Sequence, residues 1–179
     1  MDFNSLDRFV QAQTLMYSTT LREIKNGKKV AHWIWYMFPQ LRGLGTSTMA
    51  HMYGISGLKE AEAYLEHPVL SGRLYELCGE LLKHKDKTAL EIFGDIDEMK
   101  LKSSMTLFAL TSEDYTIFDE VLQCFFDGEM DEVTLGLLDL STHLDEAMQD
   151  IKNYKTQTAD TVYNDIIEEL KHLDTQNIC

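Results

Sequence analysis

Apolar residues recur every three or four positions along most of the chain, which is the spacing that places them on one face of an α-helix. The first such stretch predicts a helix that is capped by Ser5 and runs to about Asn26, where Gly27 ends it. No stretch alternates apolar and polar residues for long enough to predict a sheet. The pattern therefore predicts an all-α protein. Further helices are expected at about residues 33–38, 47–53, 57–65, 68–82, 89–93, from 95 or 97 to 110, 113–125 and 133–138.

Residues that suit helix N-termini precede several of these stretches. Thr88 and Glu91 have the spacing of a capping box, and Pro68 suits the first turn of a helix. Ser47 (or its neighbour Thr46), Ser56 and Ser112 are each placed to cap the helix that follows.

From about residue 141 the helical spacing continues, but the opposite face becomes acidic. We interpret residues 1–140 as one compact helical domain and residues 141–179 as an acidic amphipathic helical extension, formed by one helix or by two broken near residues 156–160. Such an extension packs back on its own domain, or it serves a homo-oligomer or a partner helix. Its apolar positions are Leu144, Met148, Ile151, Tyr154, Val162, Ile166, Leu170 and Leu173.

Residues 32–45, with the sequence HWIWYMFPQLRGLG, hold both tryptophans of the protein. Pro39 removes a backbone donor and disfavours helix at the residue before it, so the short helix should stop there. His32, Gln40 and Arg42 thereby come close to large aromatic rings. Since an unpaired buried polar group costs about 1–3 kcal/mol, these side chains either pair internally or face a cleft.

Composition restricts the classes of partner. The formal net charge is −14 and the acidic excess is concentrated in residues 86–179, which argues against duplex nucleic acid. No apolar run reaches the roughly 18 residues that span a bilayer, and the N-terminus lacks the pattern of a signal peptide, so we expect a cytoplasmic protein without a membrane partner. Three cysteines without CxxC spacing indicate neither a disulfide framework nor a zinc site. No metal or cofactor is predicted.

Several motifs together resemble a bacterial family of small, cytoplasmic, all-helical proteins that is catalogued as a domain of unknown function and whose members are sometimes labelled calpastatin-like. The resemblance covers about residues 7–138 and implies a compact fold of about seven helices, loosely like armadillo packing. It implies no activity. Lys102 stands where arginine is frequent in the family, which weakens bidentate recognition of an anion. The motifs are residues 32–45, 53–56, 60–68, 92–94 and 100–108.

The sequence lacks GxSxG, GxxxxGK[ST] and HExxH, so three common enzyme templates do not apply. What remains is a set of aromatic, amide, cationic and hydroxyl side chains in two segments, which suits a small planar anionic ligand such as a nucleotide. His32 is a weak candidate for an acid–base catalyst, and whether the protein is an enzyme stays open. The alternatives are a structural core segment and an interaction module or oligomerising scaffold without catalysis. The candidate ligand-binding residues are Trp33, Trp35, Gln40, Arg42, Lys100, Lys102, Ser103 and Ser104.

Overall fold

The computed structural model describes residues 5–112, 114–140, 142–143, 148–153 and 161. The chain divides into two compact units, Met1–Leu138 and Asp139–Cys179. The described part of the first unit is all-α, as predicted, and its one β-type contact is an isolated parallel bridge between Leu41 and Ile55. Its helices are α1 Asp7–Lys25, α2 Ile34–Met37, α3 Thr48–Tyr53, α4 Leu58–Glu66, α5 Pro68–Leu81, α6 Ala89–Phe93, α7 Asp95–Thr111 and α8 Ile117–Phe126, and residues 132–138 are also helical.

Helix α7 is the centre of the first unit. It packs against α2, α4, α6 and α8, and because neighbours cover it on several sides, every residue from 103 to 109 is buried. Its own Phe108 ring contacts the rings of both Tyr64 on α4 and Phe118 on α8. This arrangement brings the first half of α7 against α2, so the two segments that carry the candidate residues are neighbours.

The chain leaves α2 as the proline predicts. The helix ends at Met37, and Phe38 before Pro39 has φ −126° and ψ 72°, outside the helical region. The next residues pair with the chain that follows α3: the Arg42 N–H donates to the Ile55 carbonyl at 2.7 Å, and the Ile55 N–H donates to the Gln40 carbonyl at 2.9 Å. These bonds hold the segment after α2 beside the end of α3.

Gly54 makes this close approach possible. A Cβ atom at this position would lie 2.8 Å from the Ala50 carbonyl oxygen and 2.9 Å from the Arg42 Cα atom, so a larger residue would push the two strands of chain apart. The Gly54 carbonyl also accepts hydrogen bonds from Arg8 at 3.2 Å and from Arg42 at 3.3 Å. Arg8 in turn forms a buried ion pair of 2.6 Å with Glu60, which ties α1 to α4.

Three of the predicted helix starts are confirmed. Thr88 and Glu91 form a complete capping box at α6. Ser47 caps α3 by accepting from the Ala50 N–H at 3.1 Å, and Pro68 occupies the first turn of α5.

Three cap predictions are wrong. The N-cap of α1 is Leu6, with Ser5 one residue earlier. The N-cap of α4 is Gly57, and Ser56 lies one residue before it, outside the helix. The Ser56 N–H donates to the Glu60 carboxylate at 2.7 Å. The N-cap of α8 is Thr116, four residues after the predicted Ser112. Thr116 forms a capping box with Asp119.

In the second unit, the described residues 139–140, 142–143, 148–153 and 161 are helical. Met148 and Ile151 are mostly exposed. The predicted apolar positions Leu144, Tyr154, Val162, Ile166, Leu170 and Leu173, and the predicted break near residues 156–160, lie outside the described residues. None of the helices in the described ranges combines the length and the apolar character needed to cross a membrane.

Candidate functional site

A cavity of about 490 Å³ lies where α2, the loop into α3, the first half of α7 and residues 131–133 meet. Two of its lining residues, Trp35 and Gln40, come from the first predicted segment, and two, Lys100 and Ser103, come from the second. The remaining lining residues are mostly apolar or small: Leu44, Gly45, Thr46, Ser47, Ala50, Ile96, Met99, Asp131 and Val133. A second hollow of about 10 Å³ shares Trp35 and Gln40 with this cavity.

The two tryptophans have different surroundings. The Trp33 side chain is 0% exposed, its ring contacts Phe38 and Phe93, and its indole N–H donates to the Glu23 carboxylate at 2.7 Å. Trp35 is partly exposed and lines the cavity, and its indole N–H makes no hydrogen bond to any described residue. Trp33 is therefore a core residue, and Trp35 is the aromatic residue of the cavity wall.

One carboxylate joins two lysines beside these rings. Asp97 accepts from Lys100 at 2.7 Å through Oδ1 and pairs with Lys29 at 2.5 Å through Oδ2. The Lys100 ammonium lies 4.6 Å from the centre of the Trp35 ring, and the Lys29 ammonium lies 5.2 Å from the centre of the Trp33 ring, both within the range of cation–π attraction. Lys29 also lies near the Glu23 carboxylate, so these four charges balance, and Lys100 is the lysine of the group that lines the cavity.

Asp97 keeps its negative charge in this position. Burial raises the pKa of its carboxyl group, but the hydrogen bonds and charges of Lys100 and Lys29 lower it by more, so the pKa lies below its usual range. Asp97 also lies in the first turn of α7, where the helix dipole favours a carboxylate.

Two polar side chains on the cavity wall have no partner among the described residues. Ser103 is 4% exposed, and its hydroxyl neither donates nor accepts a hydrogen bond there. The Gln40 carboxamide is likewise unpaired, although its backbone carbonyl accepts from Ile55. With the Trp35 N–H, the wall thus offers donors and acceptors to a molecule inside the cavity.

Asp131 provides a carboxylate on the same wall. Its Oδ2 accepts from the Thr134 N–H at 2.8 Å and from the Thr134 hydroxyl at 2.6 Å, so it caps the helix that begins at residue 132. The rim is apolar, since Ile96, Met99 and Val133 are 65%, 66% and 62% exposed. The cavity therefore combines an apolar rim with a lysine and an aspartate.

The other predicted residues do not line the cavity. Ser104 is fully enclosed, and its hydroxyl has no partner among the described residues. Arg42 donates to the Gly54 carbonyl, and Lys102 pairs with Glu129 at 3.2 Å. His32 is exposed; its carbonyl accepts from the Tyr36 hydroxyl at 3.2 Å, and its ring makes no hydrogen bond to the described residues.

Sequence reasoning missed Asp97, Asp131 and Glu23. Asp97 had a usable signal, because an aspartate three residues before a lysine lies on the same helix face. Glu23 had no such signal in the sequence, because its hydrogen-bond donors come from the loop after α1. They are the Val30 N–H, the Ala31 N–H and the Trp33 indole N–H.

The described residues support neither a metal site nor a cysteine nucleophile. Within the described ranges, no three His, Cys, Asp or Glu side chains are grouped so that they could hold a metal ion. Cys78 is buried in the core, where burial raises the pKa of its thiol, so this cysteine is not a thiolate nucleophile at neutral pH.

Comparison with known proteins agrees with the resemblance seen in the motifs. The family described as "Protein of unknown function (DUF1810)" matches residues 3–138. The crystal structure of the conserved hypothetical protein Rv1873 from Mycobacterium tuberculosis is similar to this chain, with 45% sequence identity and a TM-score of 0.73, and the similarity covers 75% of this chain and 96% of the mycobacterial one. None of the curated proteins matches. Because the family match spans well over half of the sequence, the chain belongs to the DUF1810 family of bacterial all-helical proteins.

Proposed function

We propose that this protein binds a small, planar, anionic ligand of the nucleotide type in the cavity beside Trp35. The observation that carries the proposal is the set of unpaired polar groups on a mostly apolar wall: the Trp35 N–H, the Gln40 carboxamide and the Ser103 hydroxyl. None of the three is sealed from water in the core, so each remains available to hydrogen-bond a molecule that enters the cavity. Three unpaired groups on one wall suit a molecule that supplies their partners.

The size and walls of the cavity fit the proposal. A volume of about 490 Å³ lies within the range of ~300–1,000 Å³ that small-molecule sites occupy. Apolar walls with few polar groups are typical of such sites, and stacking of a base on an aromatic side chain contributes about 1–3 kcal/mol. Trp35 is the aromatic side chain on this wall, and because the Lys100 ammonium lies over one face of its ring, a base would contact the opposite face or the ring edge.

The charge distribution favours an anion at one end of the cavity. Lys100 donates one of its three N–H groups to Asp97, and no other described residue accepts the remaining two. Asp131 lies on the wall as well, so we expect the anionic group of the ligand at Lys100 and a neutral or donor group near Asp131. A local positive charge is the feature that would attract an anion to a protein of net charge −14.

A thermal-shift panel of nucleoside monophosphates and the matching nucleosides tests the proposal. A ligand present at about one hundred times its Kd stabilises the fold by about 2.7 kcal/mol, which for a chain of this size raises Tm by roughly 5–10 °C. We expect at least one monophosphate to give such a shift and its nucleoside to give a smaller one. A flat response across the panel would contradict the proposal.

A pair of lysine variants locates the site. Lys100→Met removes the charge from the cavity, whereas Lys102→Met removes the same charge from the same helix, away from the cavity. Because a hydrogen bond to a charged group contributes about 1.5–3 kcal/mol, we expect Lys100→Met to weaken monophosphate binding roughly tenfold to a hundredfold and Lys102→Met to have little effect. Equal losses would mean that the anion responds only to overall charge.

A second candidate function is an interaction module in which residues 141–179 associate with another helix. It is supported by Met148 and Ile151, three residues apart in a helical segment and 68% and 57% exposed. We also propose that residues 1–140 fold without this extension. If both proposals are right, residues 1–140 give a cooperative thermal melt and a smaller oligomer than the full chain in light scattering. A full chain that is already monomeric would contradict self-association through this segment.

Catalysis by His32 gains no support from its position. A general acid or base must reach its substrate directly or through one water, and His32 does not line the cavity. We therefore assign no reaction step to it.

A further inference from the structure

The ion pairs beside the tryptophans form one connected unit. Lys29 comes from the loop after α1 and Lys100 from α7, yet both ammonium groups pair with the carboxylate of Asp97. Each ammonium also lies against a different indole, Lys29 against Trp33 and Lys100 against Trp35. A single carboxylate thus fixes two cation–π contacts, one in the core and one on the cavity wall.

The two lysines differ in what they can do. The Lys29 side chain is 6% exposed and covers an indole that is fully enclosed, so it serves the core. The Lys100 side chain is 19% exposed and lines the cavity, with two N–H groups that no described residue accepts. Since Asp97 is already shared with Lys29, its charge does not fully neutralise Lys100.

We infer that Asp97 is a positioning residue for this cavity: it holds the Lys100 ammonium over one face of the Trp35 ring, where the ammonium meets the anionic group of a ligand bound in the cavity. The inference rests on the proposed binding function and adds a residue that does not touch the ligand. The inference predicts the opposite of what the net charge alone would predict for an Asp97 variant. Removing the Asp97 charge makes the site more positive, yet it should weaken the attraction of an anion to Trp35, because Lys100 is no longer held there.

Fluorescence quenching of the full chain tests this without any nucleotide. Because Trp33 is fully enclosed, quenching by a hydrated solute reports on Trp35. Iodide is the anionic probe and acrylamide the neutral one, both used at low and constant ionic strength so that charges remain unscreened. The ratio of their quenching constants measures how strongly the surroundings of Trp35 attract an anion.

The key variant is Asp97→Asn, and its matched control is Asp95→Asn. Asp95 lies in the same first turn of α7, is exposed, and makes no ion pair with a described residue. Loss of a unit positive charge held about 5 Å from the ring lowers the local anion concentration up to about fourfold, and loss of the adjacent Asp97 charge offsets part of this, which leaves a net fall of roughly twofold or less. We therefore expect the iodide-to-acrylamide ratio to fall by that factor in Asp97→Asn and to stay equal or rise in Asp95→Asn.

An unchanged or higher ratio in Asp97→Asn would overturn the inference, because it would show that only the net charge matters. Should Asp97→Asn fail to give a native circular-dichroism spectrum, Asp97→Glu carries the test. It keeps the charge and displaces Lys100 by a methylene length, so a ratio below that of the natural protein supports the inference and an equal ratio overturns it. A chain that binds no nucleotide would contradict the proposed function and would leave the quenching result for Asp97 intact.

Discussion

Trp33 and Trp35 are two residues apart in one short segment, yet they belong to different regions of the molecule. Both lie beside a lysine, and both of these lysines pair with Asp97. Trp33 is enclosed among phenylalanine rings, whereas Trp35 faces a cavity of about 490 Å³. The shared features show that neither an indole nor a nearby cation is enough to define a site.

The difference lies in the polar partner of each ring. Glu23 on α1 accepts the Trp33 N–H at 2.7 Å, so this indole is buried without an unpaired donor. No described residue accepts the Trp35 N–H, and its neighbours Gln40 and Ser103 are unpaired as well. Trp33, whose N–H is accepted by Glu23, stabilises the core. Trp35, whose N–H has no acceptor among the described residues, lies on the wall at which we propose a ligand.

The comparison is tested most strongly by removing each ring. Trp33→Ala should lower the free energy of unfolding by about 3–5 kcal/mol, because it leaves a large cavity in the core. Trp35→Ala removes a partly exposed side chain and should cost only about 1 kcal/mol. Urea unfolding followed by circular dichroism measures both. Equal losses would show that Trp35 is also a core residue.

Ligand binding should show the reverse order. Trp35→Ala should weaken binding of the best nucleoside monophosphate by about 1–3 kcal/mol, or roughly fivefold to a hundredfold, because the stacking surface is lost. Trp33→Phe keeps the core filled and serves as the matched control, with affinity expected to stay within about twofold. Isothermal titration calorimetry gives both values. A larger loss for Trp33→Phe would place the ligand elsewhere.

The partner of Trp33 gives a pH-dependent test. Burial raises the pKa of Glu23, but the hydrogen bonds from Val30, Trp33 and Ala31 and the charge of Lys29 lower it by more, so the pKa lies below its usual range. Its contribution to stability is therefore present above the unfolded pKa of about 4.3 and is lost as the pH falls through the lower folded value. Glu23→Gln should cost about 1–2 kcal/mol at neutral pH and less in acid.

Urea unfolding at neutral pH and at about pH 3.5 measures this difference. The control is Glu62→Gln, since Glu62 is exposed on α4 and makes no hydrogen bond to the described residues. If the loss in Glu23→Gln does not shrink in acid, the carboxylate charge is not what holds the Trp33 N–H.

Much of the fold could be predicted because its signals are local. Pro39 ends α2, Pro68 opens α5, and Thr88 with Glu91 caps α6, each through groups within one turn of chain. The α8 start was misplaced because several polar residues precede that helix. The choice of Thr116 depends on Asp119, which accepts from both the N–H and the hydroxyl of Thr116.

The site was predictable only in outline. Nearness of the two segments follows from packing α2 against α7, and it brings Trp35, Gln40, Lys100 and Ser103 to one cavity. Which tryptophan faces that cavity could not be predicted. It depends on Glu23, ten residues before Trp33, whose role is set by the path of the loop after α1 and not by any spacing within the segment.

The smallest expected effect concerns the carboxylate on the cavity wall. Asp131→Asn removes a negative charge but keeps a side chain that caps the helix equally well, so stability should hardly change. If the anion lies in this cavity, monophosphate affinity should rise by about 0.2–1 kcal/mol, the size of an exposed charge pair, while affinity for the neutral nucleoside stays constant. Glu132→Gln, an exposed neighbour that does not line the cavity, controls for net charge. Equal gains in both variants would mean that the anion responds to the whole acidic surface, and the contrast between Trp33 and Trp35 would then describe packing alone.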